Sequence, residues 1–228
     1  MSAIASVRGV TRNYKQGPHT VRALRGVDLD VEEGDFLALM GPSGSGKSTL
    51  LNLLGGLDLP NEGEVSIEGK ELSSLSKSAL SDLRRDRMGF IFQSYNLIPV
   101  LSAFENAEFV LLLRGTPVAE RNKIVMEMLA AVGLQGMENR RPNELSGGQQ
   151  QRVAVARAIA GKPALVLADE PTANLDSETG NDLIDLMRSL NKEHGITFIF
   201  ATHDPKVMKA ANRVVRLEDG LVISDERQ

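Results

Sequence analysis

Apolar and polar positions follow two patterns along this chain, and both predict β-strands. In some segments they alternate, as in a strand with one face toward solvent. In others the apolar run is continuous, as in a strand covered on both faces. The alternating segments are 27–31 and 64–67, and the continuous ones are 36–40, 164–168 and 197–201. Strands of the second kind are typical of α/β folds, in which helices lie on both faces of a sheet.

Segments with helical spacing of apolar residues lie between and after these strands. The predicted helices cover 48–54, 76–87, 117–132, 149–160 and 178–193, and a closing hairpin is predicted at 214–223 around Asp219-Gly220. Helices dominate the middle third, whereas strands and helices alternate in the last third. We therefore predict one α/β domain over residues 1–228. Its core subdomain would cover about 1–93 and 162–228, and a helical subdomain would be inserted at about 94–161.

The composition is ordinary for a globular protein of 228 residues, with 42% hydrophobic and 25% charged residues. The net charge of −4 does not favour nucleic acid as a partner. The absence of cysteine excludes disulfides and thiolate metal sites. The longest apolar run near the middle, 109–113, is far shorter than the roughly 20 residues that span a bilayer, and the first ten residues lack the pattern of a signal peptide. We therefore expect membrane contact only through a partner.

Residues 41–49 match the phosphate-binding pattern G-x-x-x-x-G-K-[ST] between a buried strand and a helix start. Glycines let backbone N–H groups converge on a phosphate, and the helix N-terminus adds positive potential there. Lys47 would contact the β- and γ-phosphates of a nucleotide, and the Ser48 hydroxyl would ligate Mg²⁺. The nucleotide-binding residues predicted from this loop are Gly41, Ser43, Gly44, Ser45, Gly46, Lys47, Ser48 and Thr49.

Two carboxylates, Asp169 and Glu170, follow the buried strand at 164–168. Ligands of open α/β sheets bind at the carboxyl ends of the strands, so these side chains belong at the ligand edge. Asp169 would hold Mg²⁺ through its water shell, and Glu170 would accept a proton from the attacking water. Without the phosphate loop, an ordinary strand-to-turn Asp-Glu before Pro171 would explain the pair equally well.

A second candidate anion site opens the helix at 149–160. Ser146 suits the N-cap position, and Gly147 and Gly148 permit close approach of backbone N–H groups before Gln149. Two phosphate sites in distant parts of one chain suggest a dimer, in which each nucleotide lies between the phosphate loop of one copy and the second site of the other. A capped helix with a glycine turn is the simpler alternative.

The stretch 145–149 resembles the signature of ABC-transporter ATPases, and residues 6–225 fit that family in the order of their motifs. The resemblance implies a P-loop NTPase core with a mixed sheet, an N-terminal antiparallel β region and a helical insertion. It also implies that Tyr14 stacks on adenine, that Gln93 contacts Mg²⁺ and water, that Asp176 lies in a dimer-contacting loop, and that His203 contacts the γ-phosphate. From the residues alone, Tyr14 could be a packing residue, Gln93 a polar strand end, Asp176 a helix cap and His203 a structural residue.

The activity that the resemblance implies is ATP hydrolysis. Two copies would close head to tail around Mg-ATP and drive separate transmembrane permease subunits at the cytoplasmic face of the cell membrane. Residues 84–99 are similar to a branch that includes lipoprotein-release and macrolide-efflux ATPases, which suggests export or extrusion. Residues 94–101 are expected to form part of a groove for a helix of the permease. The alternatives are an ATPase that regulates a cell-division complex and a non-transport ABC ATPase.

Overall fold

The structure is a computed structural model and describes residues 3–228. Its strands are β1 (Ala3–Gln16), β2 (His19–Glu32), β3 (Phe36–Met40), β4 (Glu62–Ile67), β5 (Lys70–Glu71), β6 (Met88–Phe92), β7 (Leu165–Asp169), β8 (Thr197–Ala201), β9 (Arg213–Glu218) and β10 (Leu221–Arg227). Its α-helices are α1 (Lys47–Leu54), α2 (Lys77–Arg87), α3 (Ala103–Leu113), α4 (Val118–Ala131), α5 (Gly147–Ile159), α6 (Ser177–His194) and α7 (Pro205–Ala210). Short 3₁₀ turns occupy Leu72–Ser74 and Pro142–Glu144.

The larger sheet has six strands in the order β10-β9-β3-β8-β7-β6. Strands β6, β7, β8, β3 and β9 run parallel to their neighbours, and β10 returns antiparallel beside β9. Every residue of β3 and β8 is buried, because successive side chains enter different cores on the two faces. In β3, Phe36 and Ala38 pack on one side, and Leu37 and Leu39 on the other. The prediction of strands covered on both faces is confirmed.

The smaller sheet is antiparallel, with the order β2-β1-β4-β5. Its long β1–β2 hairpin packs against α1, so Tyr14 on β1 lies near the start of that helix. This sheet is the predicted N-terminal antiparallel β region, and together with the larger sheet it confirms the predicted α/β fold.

Helices α3, α4 and α5 lie between β6 and β7 in the chain and pack on one another. The sequence patterns predicted α4 and α5 but not α3, whose capping box joins Ser102 and Glu105. The Ser102 hydroxyl accepts from the Glu105 amide, and the Glu105 carboxylate accepts from the Ser102 amide. The boundaries of the helical subdomain at 94–161 stay a prediction. Of the helices within residues 3–228, none has the length and apolar content to cross a bilayer.

Candidate nucleotide-binding and hydrolysis site

The phosphate loop connects β3 to α1, and its shape depends on glycines at positive φ. At Gly41, with φ 152°, an added Cβ would lie 2.1 Å from the carbonyl oxygen of Leu217. At Gly46, with φ 104°, it would lie 2.6 Å from the carbonyl oxygen of Ala23. Neither carbonyl can move without disturbing its own strand, so a side chain at either position would distort the loop.

The Lys47 side chain reaches back across the phosphate loop to its first residues. Its Nζ donates to the carbonyl oxygens of Gly41 at 2.8 Å and Pro42 at 3.0 Å. Its side chain is buried, so the ammonium is held at the centre of the loop. Gly46 caps α1 and brings no side-chain acceptor, so the first amides of that helix need an acceptor from outside. A phosphate would supply one and would meet the Lys47 charge.

A cavity of about 310 Å³ joins the phosphate loop to the β1–β2 hairpin. Its polar end is formed by Gly44, Gly46, Lys47, Ser48 and Thr49, and its other end by Tyr14, Val21 and Ala23. An anionic group fits the first end and a flat apolar ring fits the second. The arrangement thus suits a nucleoside phosphate, and it places Tyr14 at the same cavity as the loop. The stacking of Tyr14 on adenine stays a prediction.

The candidate metal side chains meet where α1 and β7 approach each other. Ser48 Oγ donates to Asp169 Oδ1 at 3.1 Å. Burial raises the pKa of Asp169, and the nearby Glu170 raises it further, while the Ser48 hydrogen bond and Lys47 oppose the shift. A hydroxyl and a carboxylate beside a phosphate loop are hard oxygen donors that fit Mg²⁺. Residues 3–228 contain no cluster of three or more His, Cys, Asp and Glu, and the third residue predicted to face the ion is a glutamine, Gln93.

Gln93 lies at the same sheet edge. It follows β6, whose last residue, Phe92, pairs with Asp169 in the parallel ladder. Its side chain is exposed, and its carbonyl oxygen accepts from Asn174 Nδ2 at 2.9 Å. Two of the three predicted metal-facing residues, Gln93 and Asp169, therefore lie at the ends of adjacent strands.

Glu170 has an unusual backbone and two side-chain partners. Its φ of 45° falls in the left-handed region, which costs energy for a residue with a Cβ. Its Oε2 accepts from Thr202 Oγ1 at 2.9 Å, and its Oε1 lies 2.7 Å from His203 Nδ1. The His203 side chain is 75% exposed, whereas that of Glu170 is only 18% exposed. The two residues expected to act on the γ-phosphate and its water are therefore in direct contact.

The second predicted anion site is a capped helix start. Ser146 Oγ accepts from the Gln149 amide at 3.3 Å, and Gln149 Oε1 accepts from the Ser146 amide at 2.9 Å. The glycines between them meet other parts of the chain. A Cβ on Gly147 would lie 2.8 Å from the Tyr95 hydroxyl, and one on Gly148 would lie 2.4 Å from Thr179 Cγ2. Ser146 is therefore a helix cap, as in the simpler alternative. The cap does not use the hydroxyl hydrogen of Ser146, and Ser146 is exposed, so an anion could still bind at this helix start.

Asp176 is the N-cap of α6, whose first turn lies beside the start of α5. Its carboxylate accepts from the amides of Glu178 and Thr179 at 3.0 Å each and from Thr179 Oγ1 at 2.6 Å. The hydrogen bonds from the hydroxyl and amide of Thr179 lower the pKa of Asp176. Asp176 is thus a helix cap, and its predicted role in a dimer contact stays a prediction.

Sequence patterns did not single out Gln151, which connects the second site to the hydrolysis edge. Its side chain is fully buried, and its Nε2 donates to the Pro171 carbonyl at 2.8 Å and, more weakly, to the Phe92 carbonyl at 3.4 Å. Those carbonyls adjoin Glu170 and Gln93 in the chain. The one sequence signal for Gln151 is its position shortly after the glycines that begin α5.

Known proteins resemble the chain over nearly its whole length. The family model described as "ABC transporter" matches residues 24–173. An uncharacterized ABC transporter ATP-binding protein, MJ0796, of Methanocaldococcus jannaschii is 47% identical, with 97% of this chain and 96% of that protein covered. Its dimeric structure in a post-hydrolysis state with ADP and Pi superposes with a TM-score of 0.90 at 45% identity, covering 98% of each chain.

Two further relatives carry more specific names. The lipoprotein-releasing system ATP-binding protein LolD 1 of Rhodopseudomonas palustris is 47% identical, with 97% of this chain and 99% of that protein covered. The macrolide export ATP-binding/permease protein MacB of Rhodopirellula baltica is 45% identical over 96% of this chain, which corresponds to 32% of MacB. The similarity to MacB is thus confined to about a third of that protein.

Proposed function

The chain belongs to the ABC transporter family, whose ATP-binding, ATP-hydrolysing cassette it is, and we propose that it works as a homodimer that closes on Mg-ATP and opens after hydrolysis. One observation carries the hydrolytic assignment. Asp169 touches Ser48 of the phosphate loop at 3.1 Å, and Glu170 is the next residue in the chain. A carboxylate able to orient water thus adjoins the place where phosphate and metal would meet.

Each predicted residue then has a distinct part in hydrolysis. Lys47 and the amides at the start of α1 bind the β- and γ-phosphates, and Tyr14 stacks on adenine. Ser48, Gln93 and Asp169 would hold Mg²⁺, Asp169 through its water shell, and the bound ion would offset charge that develops on the phosphate oxygens.

Glu170 orients the attacking water and accepts its proton, and His203 contacts the γ-phosphate. Their mutual contact at 2.7 Å uses the Nδ1 of His203 and leaves the other ring nitrogen, Nε2, for the phosphate.

The proposed dimer completes each site with the Ser146–Gln149 helix start of the partner copy. Two observations support it: the relative of known structure is a dimer with ADP and Pi, and the exposed Ser146 caps a helix whose N-terminus would favour an anion. ATP would then join the two copies, and loss of the γ-phosphate would release them.

Glu170→Gln tests this arrangement, because it removes the base while keeping the side-chain shape. We expect this variant to form a dimer with ATP on gel filtration and to hydrolyse ATP at least about a hundredfold more slowly than the unaltered protein. Near-normal turnover would remove Glu170 from the role of base.

In that background, Lys47→Ala should abolish dimerisation by preventing ATP binding, and Ser146→Arg should abolish it by obstructing the partner's site. A mixture of the two variants should dimerise again, because one of the two shared sites would be intact in the mixed pair. A mixture that stays monomeric would contradict the shared site.

The proposed permease contact is an apolar groove of about 380 Å³ between the core and the helical part. Its apolar lining includes Leu57, Phe90, Phe92, Phe109 and Leu113, with Arg84, Arg85, Arg114 and Arg157 around them. Of the segment 94–101, Asn96 lines this groove, whereas Leu97 packs against the hydrophobic core. A permease helix with apolar residues and acidic ends would fit such a surface.

Leu113→Glu should weaken pull-down of the permease and leave ATP binding intact. Leu113 is the last residue of α3. The matched control is Met126→Glu, because Met126 is also exposed and apolar but lies on α4, outside the groove. Equal pull-down of both variants would mean that the permease binds at another surface.

From the LolD and MacB relatives we further propose export or extrusion of a lipoprotein, drug or peptide, with the chain held at the cytoplasmic face of the membrane by its permease.

A further inference from the structure

Tyr14 is held by two side chains from outside the phosphate loop. Its hydroxyl donates to Asp58 Oδ2 at 2.9 Å. The guanidinium of Arg12 lies over its ring, 4.8 Å from the centroid. Arg12 Nη2 also donates to Asp58 Oδ1 at 2.8 Å, so the three side chains form a closed group. We call Arg12, Tyr14 and Asp58 the base platform.

Asp58 anchors this platform to the helix that carries the phosphate loop. It follows the end of α1, where the amides of Leu57 and Asp58 both donate to the Asn52 carbonyl oxygen. Its Oδ1 also accepts from the Leu59 amide at 2.8 Å. The phosphate loop lies at the N-terminus of α1 and Asp58 just beyond its C-terminus. One rigid helix of eight residues therefore holds both ends of the nucleotide cavity at a set separation.

Arg12 has a feature that fold stability does not explain. Its Nε is buried and has no hydrogen-bond partner among residues 3–228, although the guanidinium bonds to Asp58 through Nη2. A buried unpaired donor costs free energy. Arg8 lies four residues earlier on the same strand and has a different contact. Its Nη2 donates to both carboxylate oxygens of the surface residue Asp30, at 2.6 and 2.7 Å.

We propose that Arg12 and Asp58 are positioning residues for the nucleotide base. Arg12 occupies one face of the Tyr14 ring, so a base can stack only on the other, and Asp58 fixes the ring's tilt through the hydroxyl. The preformed ring loses little conformational freedom when the base arrives, which increases the affinity for any nucleoside phosphate over that for the phosphates alone. This inference rests on the proposed placement of adenine against Tyr14.

Binding of Mg-ATP compared with binding of magnesium tripolyphosphate separates the base from the phosphates. Arg12→Met and Asp58→Asn should each weaken ATP binding about three- to tenfold and leave tripolyphosphate binding within about twofold, as measured by calorimetry. Tyr14→Phe, which keeps the ring and removes only the hydroxyl, should show a smaller loss of the same kind. Arg8→Met is the matched control, and its affinities for both ligands should equal those of the unaltered protein.

Charge alone predicts a different pattern, because the two main variants change the net charge in opposite directions. Arg12→Met would weaken the binding of both anions, and Asp58→Asn would strengthen it. Positioning requires the same sign for both variants and an effect confined to ATP. Opposite signs, or equal losses for ATP and tripolyphosphate, would overturn the proposal.

Tyr14→Ala distinguishes failure of the platform from failure of the base placement. If Tyr14→Ala weakens ATP binding while Arg12→Met and Asp58→Asn do not, the base stacks on Tyr14 but the platform has no role. If Tyr14→Ala leaves ATP binding unchanged, the base lies elsewhere and both ideas fail. Thermal unfolding of each variant checks that the comparison is made on folded protein, and Tyr14→Phe supplies the test if a larger change does not fold.

Discussion

The phosphate loop and the hydrolysis edge lie on the same sheet, yet different kinds of contact hold them. The loop is fixed by backbone: Gly41 and Gly46 lie against main-chain carbonyls, and Lys47 donates to carbonyls of its own loop. The hydrolysis edge is held by side chains, because Glu170 bonds to Thr202 and His203. Backbone packing cannot rearrange without local unfolding, whereas side-chain hydrogen bonds exchange readily.

This contrast suggests a division of labour. The loop is ready to bind a nucleotide as it stands. At the hydrolysis edge, the base and the histidine contact each other, and Glu170 has a strained backbone, so the positions of both side chains depend on hydrogen bonds that can exchange. Nucleotide binding should therefore be insensitive to changes at the edge, and turnover should be sensitive to them.

Gly41→Ala should have the largest effect and tests the rigid half of the comparison. Its Cβ would lie 2.1 Å from the Leu217 carbonyl, so we expect a loss of more than about 3 kcal/mol in the free energy of unfolding, or no folded protein. The control is Gly44→Ala in the same loop. Gly44 also has positive φ but open space around its Cβ, so the cost should be about 1 kcal/mol. Equal costs in urea unfolding would show that the loop is not held by close packing.

Gln151→Met should have the next largest effect, since it deletes the connection between the second site and the hydrolysis edge. The Pro171 carbonyl would lose its donor, which should cost about 2 kcal/mol in the free energy of unfolding. Turnover should fall while ATP affinity stays the same.

Gln150→Met, one residue earlier, is the matched control for this connection. Within residues 3–228, the side-chain amide of Gln150 donates only to the Leu145 carbonyl of the same helix start, so its loss should cost less than about 0.5 kcal/mol. Loss of ATP affinity in Gln151→Met would show that the two halves of the site are coupled in binding.

Thr202→Val should slow turnover about tenfold, because Glu170 Oε2 loses its donor and the carboxylate loses its orientation. ATP affinity should not change, because Thr202 does not line the nucleotide cavity. Thr172→Val is the control: its hydroxyl also donates to a nearby carboxylate, that of Asp204, but does not touch Glu170. Steady-state kinetics of the two variants should differ in kcat and agree in KM. Equal kcat values for the two variants would mean that Thr202 does not orient the Glu170 carboxylate for hydrolysis.

Much of the site could be predicted because its chemistry is carried by consecutive residues. The phosphate loop at 41–49 and the carboxylates at 169–170 are local patterns next to apolar strands, and the structure brings Ser48 and Asp169 into contact. The strands themselves were predicted from short apolar runs, which reflect burial on both faces.

The rest depends on contacts between distant parts of the chain, which no local pattern encodes. Gly41 meets Leu217, Tyr14 meets Asp58, and Gln151 meets Pro171. Helix α3 was missed for a different reason. It is apolar on most of its surface, with Phe109, Leu112 and Leu113 partly exposed, so it lacks the one-sided spacing that marks a helix with a solvent face.

Asp176→Asn should have the smallest effect and tests the cap at the edge of the second site. The pKa of Asp176 is lowered in the folded protein, chiefly by the hydrogen bond from the Thr179 hydroxyl. A lowered folded pKa means that the charged cap stabilises the fold above the pKa of the unfolded chain, and that this contribution disappears as pH falls through the folded pKa. Asparagine keeps an acceptor for the amides but has no charge to lose.

The stability difference between the two proteins should therefore be constant from pH 7 to about pH 5 and should shrink below about pH 4. Asp185→Asn, inside α6 rather than at its cap, removes the same charge without touching the cap and serves as the control. A difference for Asp176→Asn that persists at low pH would mean that shape, not charge, makes the cap. The start of α6 would then belong with the half of the site that the backbone holds rather than with the half that side chains hold.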